Sequence, residues 1–476
     1  MAKDSPRYVC QACGASSVKW LGKCPSCAAW NSLAEERPAA MGRAGAAPAA
    51  RPRDPERSSG PSGGAASGPA FVGSPNGPRP VDQIAADVAD RVITGIGELD
   101  RVLGGGAVPG GVVLVGGDPG VGKSTLLLQA LAAVASRGKR ALYATGEESA
   151  SQTAQRARRL GSAPPELFIH ATNDYDDLAR AVGEVRPAAL VVDSVQTLRS
   201  SSLESAAGTV SQLREVTGHL VDLAQHHRVA TFLVGHVTKD GAIAGPKVLE
   251  HLVDTVLAFE GERAHAFRAL RALKNRFGPS SEVGLFEMTP AGMCEVTQPS
   301  ALFLAERPAQ ASGSVVAATS EGARPLLVEV QALVGPPGVG TPRRTTTGVD
   351  GGRLAMLLAV LGRRAGVDVA ASDVFVNVAG GLRVDEPALD LGVALAVVSS
   401  FRNRPFLEDC VAFGEVGLVG EVRGVPRAAL RLAEARAMGF RRALVPVSVA
   451  ERLSESERRG LTIIAIKSLD EALAYL

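Results

Sequence analysis

Residues 111–139 read GVVLVGGDPGVGKSTLLLQALAAVASRGK, and they decide the fold of the central part of the chain. An apolar run of strand length enters a glycine-rich loop, and the loop opens a helix. Gly117-Asp118-Pro119-Gly120-Val121-Gly122-Lys123-Ser124 fits G-x-x-x-x-G-K-[ST] in that strand–loop–helix context, which turns a weak pattern into a strong one. Glycines there let backbone N–H groups close around phosphates at a helix N-terminus. Lys123 is expected to reach the β- and γ-phosphates of ATP, and Ser124, followed by Thr125, to hold Mg²⁺.

Outward from this loop, short apolar runs (ALYATG, LFIH, AALVVDS, ATFLVGH) alternate with helix-length segments such as TVSQLREVTGHLVDLAQHH. That alternation predicts a parallel sheet with helices on both faces. After His251 the runs DTVLAFE, FRALRALKNR and EVGLFEM have tighter turns and predict an antiparallel extension. The run Ala189–Asp193 is apolar and ends in an acid, placing Asp193 where it would orient Mg²⁺. The strand after the P-loop helix ends in Thr145-Gly146-Glu147-Glu148-Ser149. Taken as the strand beside the P-loop, it puts a carboxylate where it polarises an attacking water, and Glu147 is preferred to Glu148. A solvated acidic turn is the competing reading. His236 ends ATFLVGH, and a γ-phosphate sensor and a purely structural histidine weigh equally for it.

The chain has 476 residues, 46% of them hydrophobic and 21% charged, with a formal net charge of +2. Length implies several domains, and bulk charge does not announce a nucleic-acid binder, so any such surface is local. No apolar run reaches the roughly 20 residues of a membrane-spanning helix, and the start lacks a secretory pattern. A cytoplasmic protein without membrane contact is expected. Cys10-x-x-Cys13 and Cys24-x-x-Cys27 offer four thiolates to one ion, the closed tetrahedral set of structural zinc. A redox pair or chance spacing is the alternative. Zinc supplies folding energy on the order of 10 kcal/mol or more in so small a module. Composition then divides the chain into a zinc module (1–34), an Ala/Pro/Gly/Ser/Arg-rich flexible linker (35–80), a P-loop ATPase domain (81–300) and a second α/β domain (310–476).

The cysteine string VCQACGASSVKWLGKCPSCAAWNS, TGIGELDRVLGGG, the P-loop, GHVTKDGAIAGPKVLEHLVD and Lys274-Asn275-Arg276-Phe277-Gly278 together resemble the bacterial RadA (Sms) DNA-repair ATPase family. The resemblance covers nearly the whole chain apart from the linker, and KNRFG is its most specific element. It implies an α/β architecture of three parts: a zinc ribbon, a RecA-like P-loop core and a C-terminal domain of the Lon-protease type. It further implies a hexameric ring and a role in recombinational repair, driving branch migration along single-stranded DNA with the RecA recombinase. Lys274 and Arg276 alternate along a strand and so are expected on one face. In a ring that face would serve the neighbour's ATP, against the alternative of two solvated cations. In RecA-like cores the loops after the strand ending in the magnesium-orienting acid, here Asp193, and after the next strand face the ring axis. Arg199, Lys239 and Lys247 in small, flexible loops suit a phosphate backbone tracked without base stacking.

At the C-terminal domain the family's Ser–Lys dyad is missing. Asp385-Glu386-Pro387-Ala388-Leu389-Asp390 carries alanine at the serine position, and no lysine lies between Lys274 and Lys467. Arginine does not deprotonate and cannot replace the base. An ATP hydrolase that is not an active protease is therefore expected. The arginines 343, 344, 353, 363, 364, 383, 402, 404, 423 and 427 offer either a second DNA surface and ring interface or solvated, paired faces. A nucleotide-switched signalling ATPase of the KaiC type and a non-catalytic recombination adaptor are the rival functions.

Overall fold

The computed structural model describes residues 7–10, 15–26, 30, 33–36, 90–161, 163–235, 248–261, 267–336, 341–380 and 382–476. Residues 37–80, expected from sequence to be a linker, fall outside these. The linker does not begin at Glu35: the strand Leu33–Glu36 pairs antiparallel with Arg7–Cys10, with Glu36 opposite Arg7. Ser16–Ser17 completes this small sheet on the other side.

The central domain is a nine-stranded sheet. In spatial order its strands are Gly292–Glu295, Val283–Thr289, Phe267–Asn275, Thr255–Glu260, Val112–Gly117, Ala230–Val234, Ala189–Asp193, Ala141–Thr145 and Leu167–Ala171. The six from Thr255–Glu260 to Leu167–Ala171 are parallel, and the first three add on antiparallel, as the texture of the sequence predicts. The parallel strands read as unbroken apolar runs because both faces are covered. Val113, Val115, Tyr143 and Val191 pack on one side with the helix Lys123–Ser136 and Ala157 of Ala150–Arg159. Val112, Leu114, Leu142, Leu190 and Val192 pack on the other, against Tyr175–Val185 and Val210–His227. The two-residue period of a strand thus divides each run between two cores.

The C-terminal domain is a seven-stranded mixed sheet in the order Arg344–Thr347, Asp373–Val378, Arg324–Gly335, Ser314–Glu321, Cys410–Ala412, Arg442–Pro446, Thr462–Ile466. Ser314–Glu321 is central in this sheet and almost wholly buried. The helix Asp390–Arg402 lies against this sheet and is buried from Asp390 through Ser399.

The central and C-terminal domains are locked by buried charge. Glu98 of the helix Gly97–Val102 accepts from Arg324 Nη1 at 2.5 Å, from Arg101 and from the Leu285 amide at 2.9 Å. Arg271 bonds Glu260 at 2.8 Å and also Glu321 of the C-terminal domain. Ala269, Val283 and Leu285 belong to the C-terminal apolar core, so the two domains share packed interior.

Candidate nucleotide site and its surroundings

Open parallel sheets bind ligands beyond the carboxyl ends of their strands. At that edge, Gly117 lies at φ +155°, and a Cβ there would collide with the Phe259 carbonyl. Asp118, Pro119 and Gly120 form the exposed tip, and Gly122 at φ +114° starts the helix. Lys123 is buried and donates to the carbonyls of Gly117 at 2.6 Å and Asp118 at 3.0 Å. Burial lowers its pKa, opposed by the negative charges of Asp193, Asp118 and Glu147. Those carboxylates therefore lie within electrostatic reach of the lysine, and a magnesium–nucleotide complex needs one or two carboxylates beside the phosphate oxygens.

Asp193 ends its strand almost fully buried and accepts a hydrogen bond from Tyr143 Oη. Glu147 Oε1 accepts from Ser194 Oγ at 2.7 Å. The strand bearing Glu147 is not the neighbour of the P-loop strand, contrary to the sequence reading. Ala230–Val234 and Ala189–Asp193 lie between them, because the crossover after the P-loop helix skips two positions. Glu147 still faces the site because the chain turns sharply at Gly146, where a Cβ would collide with Thr197. Glu148 is held differently: it pairs with Arg156 at 2.8 Å and Thr153 Oγ1 at 3.3 Å, beside the capping box that Ser149 and Gln152 form on the helix Ala150–Arg159. His236 lies outside the described residues, as do Lys239 and Lys247.

KNRFG departs from the expected alternation. The pairing shifts register between Ala272 and Lys274, the strand ends at Asn275, and Arg276 falls in the turn beyond it. Lys274 Nζ donates to the carbonyls of Glu250 and Val253, each at 2.7 Å, at the end of the short helix Val248–Leu252. Its pKa is lowered, first by desolvation and then by Arg276. Arg276 is exposed and reaches Asp254 at 3.4 Å. Asn275 opposes Thr255, and Thr255 opposes Val113, so this motif sits at the amino edge of the P-loop strand, opposite its phosphate-binding end. Gly278 packs on Gly104, and Arg91 links the Phe277, Leu103 and Gly106 carbonyls, which ties KNRFG to the GGG of TGIGELDRVLGGG.

The loop after Asp193 is not slack. Arg199 exchanges backbone hydrogen bonds with Asn173 and Tyr175, each at 2.9 Å, while its side chain is exposed. Gln212, buried on the following helix, accepts from the Ser200 amide and donates to the Ser200, Leu203 and Ser205 carbonyls. A glutamine inside an amphipathic helix gave no sign of this role. Tyr143, Arg156 and Ser194 were also missed, and only their adjacency to acidic strand ends could have pointed to them.

In the zinc module Cys10 and Cys24 are buried, with Leu33 packed beside them. The Cys10 amide donates to Ala15 O at 2.9 Å. Cys13 and Cys27 lie outside the described residues. Two buried thiols in one three-stranded fold, with Leu33 the one other buried apolar side chain among the described residues of the module, fit a metal-dependent module.

Where the Lon-type dyad would stand, Ala388 is wholly buried in the middle of a short 3₁₀ turn, Pro387–Leu389. Glu386 beside it accepts from the fully buried Arg431, from Thr319 Oγ1 at 2.9 Å and from the Ser320 amide at 2.7 Å. Of the ten arginines singled out, Arg353, Arg383 and Arg423 pair with Asp390, Asp385 and Glu421. Arg343, Arg363, Arg364, Arg404 and Arg427 are exposed.

A P-loop lysine, a buried strand-end aspartate and a facing glutamate on this sheet define an ATP-hydrolysing domain, and a zinc ribbon precedes it. Family models agree: residues 78–242 match an AAA domain, 8–35 a rubredoxin metal binding domain, and 354–448 the subunit ChlI of Mg-chelatase. The chain is 48% identical over 480 residues to the DNA repair protein RadA of Pseudomonas aeruginosa, covering all of both chains. It is 47% identical over 449 residues to that of Halalkalibacterium halodurans, covering 94% of this chain and 93% of the relative. For the Bacillus subtilis protein of the same name the figure is 45% over 473 residues, 99% of each. The chain belongs to this RadA family of DNA-repair ATPases, and its cofactors are ATP, Mg²⁺ and Zn²⁺. Among the described residues no helix is long and apolar enough to cross a membrane.

Proposed function

We propose that the chain is a DNA-dependent motor that hydrolyses ATP as a ring, moving on single-stranded and branched DNA alongside the RecA recombinase in the cytoplasm. The observation that carries the reading is the split of the ATPase machinery between opposite edges of one sheet. Lys123, Asp193 and Glu147 gather at the carboxyl edge, while Arg276 stands at the amino edge of the same sheet. A cation placed so far from its own nucleotide serves a neighbouring subunit, and this favours a hexameric ring over a monomeric switch.

In this reading Lys123 exchanges its carbonyl acceptors for phosphate oxygens, assisted by the backbone N–H groups of Gly117–Thr125 other than Pro119. Mg²⁺ supplies neutralisation of the phosphate charge, and Ser124 and Asp193 would hold it. Glu147, oriented by Ser194, orients and deprotonates the attacking water. Arg276 faces the partner's nucleotide, and Lys274, committed to two carbonyls, fixes the segment that presents it. Arg199, with Lys239 and Lys247, tracks the phosphate backbone, and the C-terminal domain assembles the ring without protease chemistry. Support for that last point is the buried Ala388 at the position where a dyad would need a hydroxyl, beside Glu386, which is paired with Arg431. The partition into 1–34, 35–80, 81–300 and 310–476 is read as ribbon, linker, motor and platform.

ATP turnover of the full chain, with and without single-stranded DNA, tests this. Stimulation that vanishes in Lys123→Ala is expected. Turnover indifferent to DNA across a range of salt would refute the motor and leave the signalling or adaptor readings.

A further inference from the structure

We propose that Tyr143 and Arg156 are positioning residues that set Asp193 for its magnesium ion. The inference rests on the reading of Asp193 as the magnesium-ligand carboxylate. Tyr143 is the middle residue of Ala141–Thr145, fully buried, with its ring in the core beneath the P-loop helix. Its hydroxyl donates to Asp193 Oδ2. One phenol therefore holds the carboxylate assigned to the cation.

Arg156 completes the relay. Its Nη2 donates to Tyr143 Oη at 3.1 Å, its guanidinium lies 5.9 Å from the centre of the tyrosine ring, and its Nη1 is fixed by Glu148 at 2.8 Å. A phenol that accepts from a guanidinium is a stronger donor to the carboxylate beyond it. With Oδ2 engaged, Oδ1 is the oxygen left for the cation or its bound water, and the carboxylate is held in one rotamer. Such supporting hydrogen bonds tune metal sites as much as the ligands do. The same chain makes Glu148, next to Glu147, an anchor of the site rather than its base.

A merely structural tyrosine would use Asp193 only to satisfy a buried hydroxyl. Removing that hydroxyl would then alter thermal stability and leave the Mg²⁺ requirement alone. The experiment is binding of a fluorescent ATP analogue to the full chain, titrated with Mg²⁺ and repeated in EDTA, for wild type, Tyr143→Phe, Arg156→Met and the double variant. The Mg²⁺ midpoint is expected to rise roughly 10-fold in Tyr143→Phe. Affinity in EDTA should be unchanged, Arg156→Met should shift less in the same direction, and the double variant no further than Tyr143→Phe. An unchanged midpoint in folded Tyr143→Phe overturns the proposal, as does an equal loss of affinity in EDTA. Should that variant fail to fold, Arg156→Met decides, because its side chain lies at the surface end of the relay; a wild-type midpoint there overturns the proposal. Wild-type binding that ignores Mg²⁺ would instead remove the Asp193 reading itself, and the proposal with it.

Discussion

Replacing Arg276 by alanine separates a ring motor from a self-contained ATPase. From Thr255, which faces the KNRFG strand end, to Phe259, level with Gly117, the chain advances four residues. At about 3.3 Å per residue this is about 13 Å, before the phosphate-binding loop itself is added. Across that distance in water one charge changes the energy of another by about 0.3 kcal/mol, less still once salt screens it. Acting within its own subunit, Arg276 is therefore worth less than about a twofold change in rate. Acting on a neighbour's transition state, it is worth roughly 10³–10⁵. The two architectures differ by orders of magnitude. Folding should survive, since Arg276 is exposed and its contact to Asp254 is a surface pair worth about 1 kcal/mol at most. Asp254 keeps its bond from the Val112 amide at 3.1 Å.

The assay is DNA-stimulated turnover, with nucleotide binding measured in parallel. Arg276→Ala should bind ATP normally and lose stimulated hydrolysis. Mixing it with Lys123→Ala, itself inactive, should restore activity, because about a quarter of sites in a randomly mixed ring pair an intact P-loop with an intact arginine. Wild-type turnover in Arg276→Ala, or a mixture as inactive as its components, would refute the trans arrangement.

Cys24→Ser, or chelation of the intact chain, should release one zinc ion and make residues 1–36 protease-sensitive while ATP binding persists; metal analysis and limited proteolysis read both. Arg324→Ala leaves the buried Glu98 with only Arg101 as ionic partner and should destabilise the domain junction by about 3 kcal/mol, seen in denaturant unfolding. The Glu386 carboxyl, though desolvation alone would raise its pKa, is held below its ordinary 4.5 by Arg431, Ser320 and Thr319. A depressed pKa stabilises the fold above the unfolded value, and that stability is lost as pH falls through the folded value. Acid unfolding of the C-terminal domain should thus begin below about pH 4.5, and Glu386→Gln should weaken the domain at neutral pH and flatten this dependence.

The local features of this chain were legible in its sequence because each depends on spacing along the backbone. The P-loop, the apolar run ending in Asp193, the paired cysteines and the switch to antiparallel strands all follow from residue type and period. So did the absence of a serine and a lysine where a Lon-type dyad would need them. Tertiary structure decided what spacing does not encode. It put two strands between Glu147 and the P-loop, and it ended the KNRFG strand before Arg276. The serine-rich loop it tied to Gln212, and it joined Glu148, Arg156, Tyr143 and Asp193 into one relay. The physical reason is that a hydrogen bond between Tyr143 and Asp193, fifty residues apart, depends on strand order, and strand order is set by how the helices cover two faces of a sheet. Sequence determined which groups are available for the chemistry, and packing determined which of them meet.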